Sequence, residues 1–468
     1  MIVADTNWQP DLSGAGRAKY KALSEAIRSG IVSGQLGAGA QLPPVRELAY
    51  RINVTPGTVA RAYALLVDEG RLVAGVGRGT FVAEPARPAG IARGDESLLY
   101  VVDEEMADFR SGRVPDVGQA AVIDAAFVRL GQSGRSRHIN YPTAETDRSA
   151  RAAVARWIDP ARIGQIGPDD IVLGNGAQNC VLLALQAVLR GAHPVILAEE
   201  LGYPGVRHAA RLLRAEVVPV AMDDQGLIPE ALEVAYRARG GQVLLTSPGV
   251  HSPTASQTGL ARKQALAKTI ERLGLQVIED DCYGIAPSDV PTYRALMDGR
   301  AYYISSLTKS VSGALRFGYM VGAEGETAAL RQVAQSSFYG VSQPILDVCT
   351  DLLTSGAAAR IRDDVVAFTA RRVRMAVNIL GRWDISWSED APFIWLRMPT
   401  GWRASSFAMA CAREGVRVRP GDEFSLAGVA APNAVRLAVT TCAQDMAFEA
   451  ALGRMNDLLS QPAPAMDA

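Results

Sequence analysis

The sequence has few of the residues that would support a disulfide framework or a metal site. Its 468 residues include four histidines and five cysteines, with no CxxC pair: Cys180, Cys282, Cys349, Cys411 and Cys442. This pattern argues against a disulfide scaffold and predicts no metal site. No apolar run approaches the roughly 20 residues of a membrane span, and the N-terminus does not resemble a signal peptide. We therefore expect a soluble, cytoplasmic protein with no membrane partner.

The length predicts more than one domain, and the composition indicates where they divide. A winged helix is expected over residues 1–83 and a large α/β domain over residues 108–459. The segment between them, residues 84–107, is rich in proline, alanine and glycine and is typical of a linker. The C-terminal residues 460–468 are expected to be disordered.

The first 83 residues contain three stretches with helical periodicity. Apolar residues recur at helical spacing from Tyr20 to Ile31, and again from Val45 to Ile52. A third helix is expected after a short turn, with Thr55 as its N-cap and Pro56 at its first position. The following RLVAGVGRGTFV is typical of a hairpin. Together these elements predict a winged helix-turn-helix.

The charge of this segment differs from that of the whole chain. Residues 17–83 contain nine Lys and Arg against four Asp and Glu, a net charge of +5, whereas the full chain carries −1. A small basic domain is the electrostatic signature of DNA binding. The alternative is a three-helix dimerisation or capping module whose arginines are solvated.

The stretch LPPVRELAYRINVTPGTVARAYALLVDEGRLVAGVGRGTFV resembles the winged helix of the GntR family. It departs from the family pattern at Pro56-Gly57, where an arginine and a small polar residue are common. The resemblance implies that double-stranded operator DNA is a partner. It also implies that the DNA is contacted by Arg46 on the second helix, by Thr55 and Thr58 at the start of the recognition helix, and by Gly77 in the wing. Arg61 and Arg78 are added because they are expected to face outward.

From about Asp108 the chain alternates apolar strands with helical segments, which predicts a mostly parallel sheet covered on both faces. Ligands bind such sheets beyond the carboxyl ends of the strands, and four motifs lie there. Gly174-Asn175-Gly176-Ala177-Gln178 is either a phosphate-binding helix start or a plain turn. Three acids, Glu279 to Asp281, stand at the end of a buried strand, and a carboxylate there suits a protonated pyridine nitrogen, although an acidic loop that caps a helix or binds a metal has the same pattern.

The third motif is Ser305-Ser306-Leu307-Thr308-Lys309, followed by Arg316. A lysine at a strand end can form a Schiff base with an aldehyde, and the hydroxyls and the arginine can neutralise a phosphate. The fourth motif is Arg436 in the apolar stretch AVRLAV. This arginine forms a structural ion pair or holds a ligand carboxylate.

In order and spacing, the four motifs resemble the fold-type I pyridoxal-phosphate enzymes of the aspartate aminotransferase family. The resemblance implies that Lys309 holds pyridoxal 5'-phosphate as an internal aldimine, that Asp280 pairs with the pyridine nitrogen, and that Tyr283 bonds the ring hydroxyl. It places Tyr203 against the ring or ligand. It assigns Tyr141 to the phosphate of a neighbouring subunit, which implies a homodimer. The phosphate cup matches Gly176, Ala177, Gln178, Ser306, Thr308 and Arg316.

A GntR winged helix fused to an aminotransferase-like domain resembles the MocR/GabR subfamily of regulators. The resemblance implies a head-to-tail dimer that senses an amine or amino acid through an external aldimine, with Arg436, Tyr203 and Ser252 at the effector. His251-Ser252 stands where aminotransferases carry an asparagine, which favours sensing over turnover. Two alternatives stay open, a working aminotransferase with an appended DNA-binding domain and a dimerisation scaffold with inert cofactor.

Overall fold

The structure is a computed structural model. It describes residue 10 and residues 19–33, 35–37, 40–68, 71–75, 79–82, 106–133, 136–442 and 444–461. The chain forms two compact units, residues 1–96 and 97–468. None of the helices in the described ranges has both the length and the apolar character needed to cross a bilayer.

The first unit is a three-helix bundle with a small antiparallel sheet in the order β1-β3-β2. Its elements are α1 (Lys19–Val32), β1 (Gln41–Leu42), α2 (Val45–Arg51), α3 (Pro56–Asp68), β2 (Leu72–Gly75) and β3 (Gly79–Val82). The three predicted helices and the hairpin are therefore confirmed. Strand β1, which pairs with β3, was not expected.

The apolar periodicity of the first unit accounts for its core. Leu23, Leu48 and Leu66, one from each helix, are buried in one cluster. Tyr63 is buried with them, and its hydroxyl donates a 2.9 Å hydrogen bond to the Pro43 carbonyl. Burial raises the pKa of this hydroxyl well above its usual range, so the bond stays intact at any ordinary pH.

The first described element of the second unit is a short strand, and helices and strands follow it. Its first half comprises β4 (Ala107–Asp108), α4 (Gln119–Gln132), α5 (Arg148–Trp157), α6 (Pro160–Ile163), β5 (Ile171–Gly174), α7 (Ala177–Val188), β6 (Val195–Glu199), α8 (Gly205–Leu213), β7 (Glu216–Val220), β8 (Met222–Asp223), β9 (Gly226–Leu227), α9 (Pro229–Arg239) and β10 (Val243–Thr246). Its second half comprises α10 (Leu260–Leu273), β11 (Gln276–Asp280), α11 (Tyr293–Leu296), β12 (Tyr302–Ser306), β13 (Gly318–Val321), α12 (Thr327–Phe338), α13 (Gln343–Thr354), α14 (Ala357–Leu380), β14 (Ile385–Ser386), β15 (Phe393–Arg397), α15 (Ala404–Arg413), β16 (Val416–Arg417), β17 (Arg419–Pro420), β18 (Ala434–Ala438) and α16 (Asp445–Ser460).

A seven-stranded sheet with the order β5-β13-β12-β11-β10-β6-β7 is the centre of this unit. All neighbouring pairs are parallel except those that involve β13, which runs antiparallel to both β12 and β5. Two apolar clusters lie on the two faces of the central strands: Tyr303 and Tyr319 belong to one, and Ile304 and Met320 to the other. The predicted mostly parallel, two-sided sheet is confirmed, with β13 as the antiparallel exception.

A second sheet, in the order β14-β15-β18-β17, is entirely antiparallel and belongs to a C-terminal lobe. The start of the large unit is attached to this lobe, because β4 pairs in parallel with β16. The backbone of Phe109 continues this attachment: its N–H donates to Arg417 O at 2.8 Å, and its carbonyl accepts from Ala438 N at 2.9 Å. The strands thus join residues that are some three hundred positions apart in the chain.

Candidate functional site

Five of the predicted site residues of the large unit lie at the carboxyl ends of parallel strands. Lys309 follows β12, Asp280 ends β11, and Ser252 follows β10. Tyr203 follows β6, and Gly176 follows β5 at the start of α7. Because the carboxyl ends of parallel strands meet at one edge of a sheet, the topology gathers these residues along that edge.

Lys309 occupies the centre of the group. Its Nζ donates a 2.6 Å hydrogen bond to the Gly112 carbonyl and lies 5.0 Å from the centre of the Tyr283 ring. The Tyr283 ring in turn packs edge-on against Phe393, with 5.1 Å between ring centres. Gly112 is close to Tyr283, since a Cβ built on it would lie 3.6 Å from the tyrosine Oη. The lysine amine and the tyrosine hydroxyl therefore border the same small space.

The two consecutive aspartates, Asp280 and Asp281, lie in different environments. The pKa of the Asp280 carboxyl is raised to about 6, mainly because the group is buried; the N–H of Cys282 and the charge of Lys309 oppose this rise, and the nearby Asp281 adds to it. Asp281 bonds instead to Arg162 Nη2 at 3.1 Å and to the Tyr303 hydroxyl at 3.0 Å. Asp280 is thus the carboxylate influenced by Lys309. A protonated pyridine nitrogen beside it would favour its charged form.

The start of α7 forms a cradle of backbone beside an arginine. Gly176 has φ +83°, and a Cβ on it would lie 2.4 Å from Arg316 Nη2. Arg316 is exposed, and its Nη2 donates a hydrogen bond to the Asn175 carbonyl at 3.1 Å. A Cβ on Gly318 would lie 2.4 Å from the Gly176 carbonyl carbon, so the two backbones touch. Only glycine fits either position.

Hydroxyl groups complete this cradle. Ser306 is buried, and its Oγ accepts from the Thr308 N–H at 3.3 Å. The Thr308 Oγ1 is buried and has no hydrogen-bond partner among the described residues. An unpaired buried hydroxyl costs about 1–3 kcal/mol unless something fills its bonding capacity. A helix N-terminus, an arginine and an unsatisfied hydroxyl are the donors that a phosphate group requires, so the residues fit the phosphate of the predicted cofactor.

Tyr203 and Gln178 are held together by Gly205. Gln178 Nε2 donates to the Gly205 carbonyl at 2.9 Å. A Cβ on Gly205 would lie 2.1 Å from Gln178 Oε1 and 2.2 Å from Tyr203 Cε1, so a larger residue cannot stand there. Ala177, at the first position of α7, is buried. Gly205 was missed by sequence reasoning, although its place two residues after Tyr203 was a usable signal.

Arg436 is buried in β18 and lies between two aromatic rings. Its guanidinium carbon is 5.3 Å from the centre of the Phe393 ring and 4.8 Å from that of Phe424. Nη1 donates to Ser252 Oγ at 2.9 Å, and Nη2 donates to the Arg110 carbonyl at 2.6 Å. Arg110 and Gly112, which sequence reasoning also missed, therefore accept bonds from Arg436 and Lys309 respectively. We call residues 110–112 the strap.

His251 stabilises its own loop. Its Nε2 donates to the Leu201 carbonyl at 2.9 Å, and its Nδ1 lies 2.7 Å from Thr254 Oγ1. Burial lowers the pKa of the ring to about 4, so the histidine is neutral at ordinary pH. A neutral ring that donates through Nε2 accepts the Thr254 proton at Nδ1. The next residue, Ser252, is then the one whose side chain bonds Arg436.

Tyr141 is exposed over 77% of its surface and packs against Tyr339, with 5.4 Å between ring centres.

In the first unit, Arg46 and Arg61 are exposed, and Arg61 lies 4.3 Å over the Tyr20 ring. Thr55 precedes α3: its Oγ1 accepts from Thr58 N at 3.3 Å and lies 2.9 Å from Thr58 Oγ1. Gly77 and Arg78 lie outside the described residues.

Two sequence families match the chain. Residues 104–453 match the aminotransferase class I and II family. The chain belongs to this family. Residues 19–82 match the bacterial regulatory proteins of the gntR family. The predicted fusion of a GntR winged helix with a fold-type I domain is confirmed, and so is pyridoxal phosphate as the cofactor.

Relatives with this arrangement are regulators. The uncharacterized HTH-type transcriptional regulator YdeF of Bacillus subtilis is 24% identical over 92% of this chain and 92% of its own. The vitamin B6 salvage pathway transcriptional repressor PtsJ of Salmonella typhimurium is 28% identical over 90% of this chain and 94% of its own. An archaeal alanine:glyoxylate aminotransferase superposes with TM-score 0.69 at 19% identity, covering 76% of this chain and 91% of its own, and shows the fold. The chain is a DNA-binding transcription regulator.

Proposed function

We propose that the large unit, residues 108–459, senses an amine or amino acid and thereby changes DNA binding by residues 1–83. The observation that carries this proposal is the strap. Lys309 bonds the Gly112 carbonyl, and Arg436 bonds the Arg110 carbonyl two residues earlier. In the chain, the strap follows directly on the linker, residues 84–107.

Bound pyridoxal phosphate supplies an aldehyde carbon that condenses with primary amines. Lys309 is the residue that would hold it, Asp280 and Tyr283 its ring, and the cradle at Gly176 its phosphate. Arg436 offers two guanidinium N–H groups to an effector carboxylate. An effector amine that condensed with this aldehyde would release the Lys309 amine from it, and an effector carboxylate would compete with the Arg110 carbonyl for Arg436, so both contacts to the strap would change. The change therefore reaches the segment that follows the linker.

This coupling is an equilibrium between two arrangements of the strap. An effector shifts it only as far as its affinity differs between them, and about 5.5 kcal/mol takes a population from 1:99 to 99:1. Each hydrogen bond to the strap contributes a net free energy of about 0.5–1.5 kcal/mol to this difference, and the covalent bond to the effector contributes more.

We also propose a homodimer, arranged head to tail, in the cytoplasm. Ile139, Tyr141 and Tyr339 are large apolar side chains with 86%, 77% and 68% of their surface exposed. Exposed apolar groups of this size are typical of a partner contact. Their position supports a role for Tyr141 at the neighbouring subunit.

The test is a titration of the full-length protein with a panel of amines and amino acids. Wild type is expected to show the cofactor's visible absorbance band, a response of that band to one class of amine, and a parallel change in promoter binding. Lys309→Ala should lose the band and the response but keep DNA binding. Lys268→Ala, an exposed lysine on α10, is the matched control. Full turnover with a keto acid and no effect on DNA would instead establish the aminotransferase alternative.

A further inference from the structure

The large unit contains a cavity of about 280 Å³ that shares one residue with the predicted cofactor site. It lies between the end of α5, the loop that follows Tyr283, and the turn that follows β12. Ser306 is the one predicted cofactor residue that lines it within the described chain; Lys309, Asp280 and Tyr283 do not. Its volume approaches that of small-molecule sites, which begin at roughly 300 Å³.

Charged side chains line the cavity: two arginines, Arg162 and Arg362, and the carboxylate of Asp159. Arg162 Nη2 bonds the buried Asp281 at 3.1 Å. The Arg362 guanidinium lies 4.9 Å over the ring of Trp157, another lining residue. Arg362 bonds Asp363 through Nε and Nη2, and Nη1 takes no part in these bonds. Hydroxyl residues line the same cavity: Ser288, Thr292, Tyr303, Ser305, Ser306, Ser310 and Tyr319.

Ser310 provides the observation that points to a ligand. Its side chain lines the cavity, is 2% exposed, and its Oγ has no hydrogen-bond partner among the described residues. A buried hydroxyl without a partner is unfavourable, so this group favours an occupant that bonds it. Ser310 directly follows Lys309, so the occupant contacts the turn that carries the cofactor lysine.

We propose that this cavity binds a small oxyanion, a phosphate or a carboxylate, between Arg162 and Arg362. Guanidinium groups are donors only, and they match the geometry of phosphate and carboxylate oxygens. The Ser310 hydroxyl adds a donor at the wall nearest the cofactor turn. The ligand is separate from the effector of the proposed function, because the two sites share no residue that the effector contacts.

The experiment uses full-length protein saturated with pyridoxal phosphate, so that the cofactor's own phosphate occupies the cradle at Gly176. Inorganic phosphate and acetate are titrated separately at constant ionic strength. Binding is followed by thermal stabilisation and, for phosphate, by ³¹P line broadening, while the cofactor absorbance is recorded throughout. The variants are Arg362→Gln and Ser310→Ala, and the control is Arg360→Gln, an exposed arginine on the same helix.

We expect one of the two anions to bind. The loss of a charged hydrogen-bond donor should weaken it about tenfold in Arg362→Gln, and the loss of a neutral one about threefold in Ser310→Ala. Arg360→Gln should bind as wild type does. The proposal is overturned if neither anion binds, if binding displaces the cofactor, or if all three variants bind as wild type does. Because the cofactor absorbance is recorded together with anion binding, binding in the cavity can be distinguished from binding in the cofactor cradle, even when a variant is less stable.

Discussion

The two units place their functional residues in opposite settings. In the winged helix, Arg46 and Thr55 are exposed, and the buried residues are almost all apolar. In the large unit, Ser306 and Arg436 are 2% exposed, and Arg436 bonds Ser252 and Arg110, which are 184 and 326 positions away in the chain. The surface of the first unit can change partners without changing its fold. In the second unit, the fold and the binding chemistry depend on the same side chains.

The strongest test of this contrast is Gly176→Ala, in the cradle. Both the positive φ and the approach of Arg316 to 2.4 Å oppose a methyl group there. We expect cofactor affinity to fall about a hundredfold, measured by fluorescence or absorbance titration. The control is Gly191→Ala, where φ is +82° but the space is open. An equal loss in both variants would attribute the effect to backbone strain alone.

A smaller effect is expected on the exposed side of the comparison, with Arg46→Ala. Loss of a phosphate contact should lower the affinity for DNA selected by the protein about tenfold and reduce the salt dependence by about one ion. The cofactor spectrum should not change, because the residue belongs to the first unit. Arg51→Ala, on the same helix and paired with Glu47, is the control. Equal weakening by the two substitutions would argue against a specific role for Arg46.

The third prediction concerns Asp280 and pH. Its pKa in the folded protein, about 6, exceeds its usual value, so its stability contribution is complete at low pH and lost as pH rises through 6. Cofactor-free wild type should therefore lose about 1–3 kcal/mol relative to Asp280→Asn between pH 4.5 and 7.5. Urea unfolding at both pH values measures this difference. Parallel pH profiles for the two proteins would show that Asp280 is not destabilised by its surroundings.

The smallest expected effect is that of Ser252→Ala. Arg436 loses one neutral partner and keeps its bond to the Arg110 carbonyl, so the arginine stays in place less firmly. The response of the cofactor band to L-alanine should weaken about threefold, and the response to ethylamine, which lacks a carboxylate, should not change. Equal weakening for both compounds would place Ser252 at the amine end of the effector.

The sequence predicted the features that depend on short patterns of residues close together in the chain. Helical spacing located α1 to α3, and the order of strand-end motifs brought Lys309 and Asp280 to one edge of the sheet. It did not predict the strap, because Gly112 and Lys309 are 197 positions apart and their bond joins a lysine to a backbone carbonyl. No side-chain pattern marks an acceptor of that kind. The same holds for the cavity, whose walls come from five separate segments.

The pairing of β4 with β16 has a consequence for synthesis on the ribosome. The winged helix precedes the linker, and residues of its own three helices form one apolar cluster, so it can fold as it emerges. Strand β4 and Phe109 emerge next, but their partners in β16 and β18 are translated some three hundred residues later. A nascent chain thus carries a finished DNA-binding module long before the strap is anchored. Under the proposed function, effector control is the last property that the growing protein acquires.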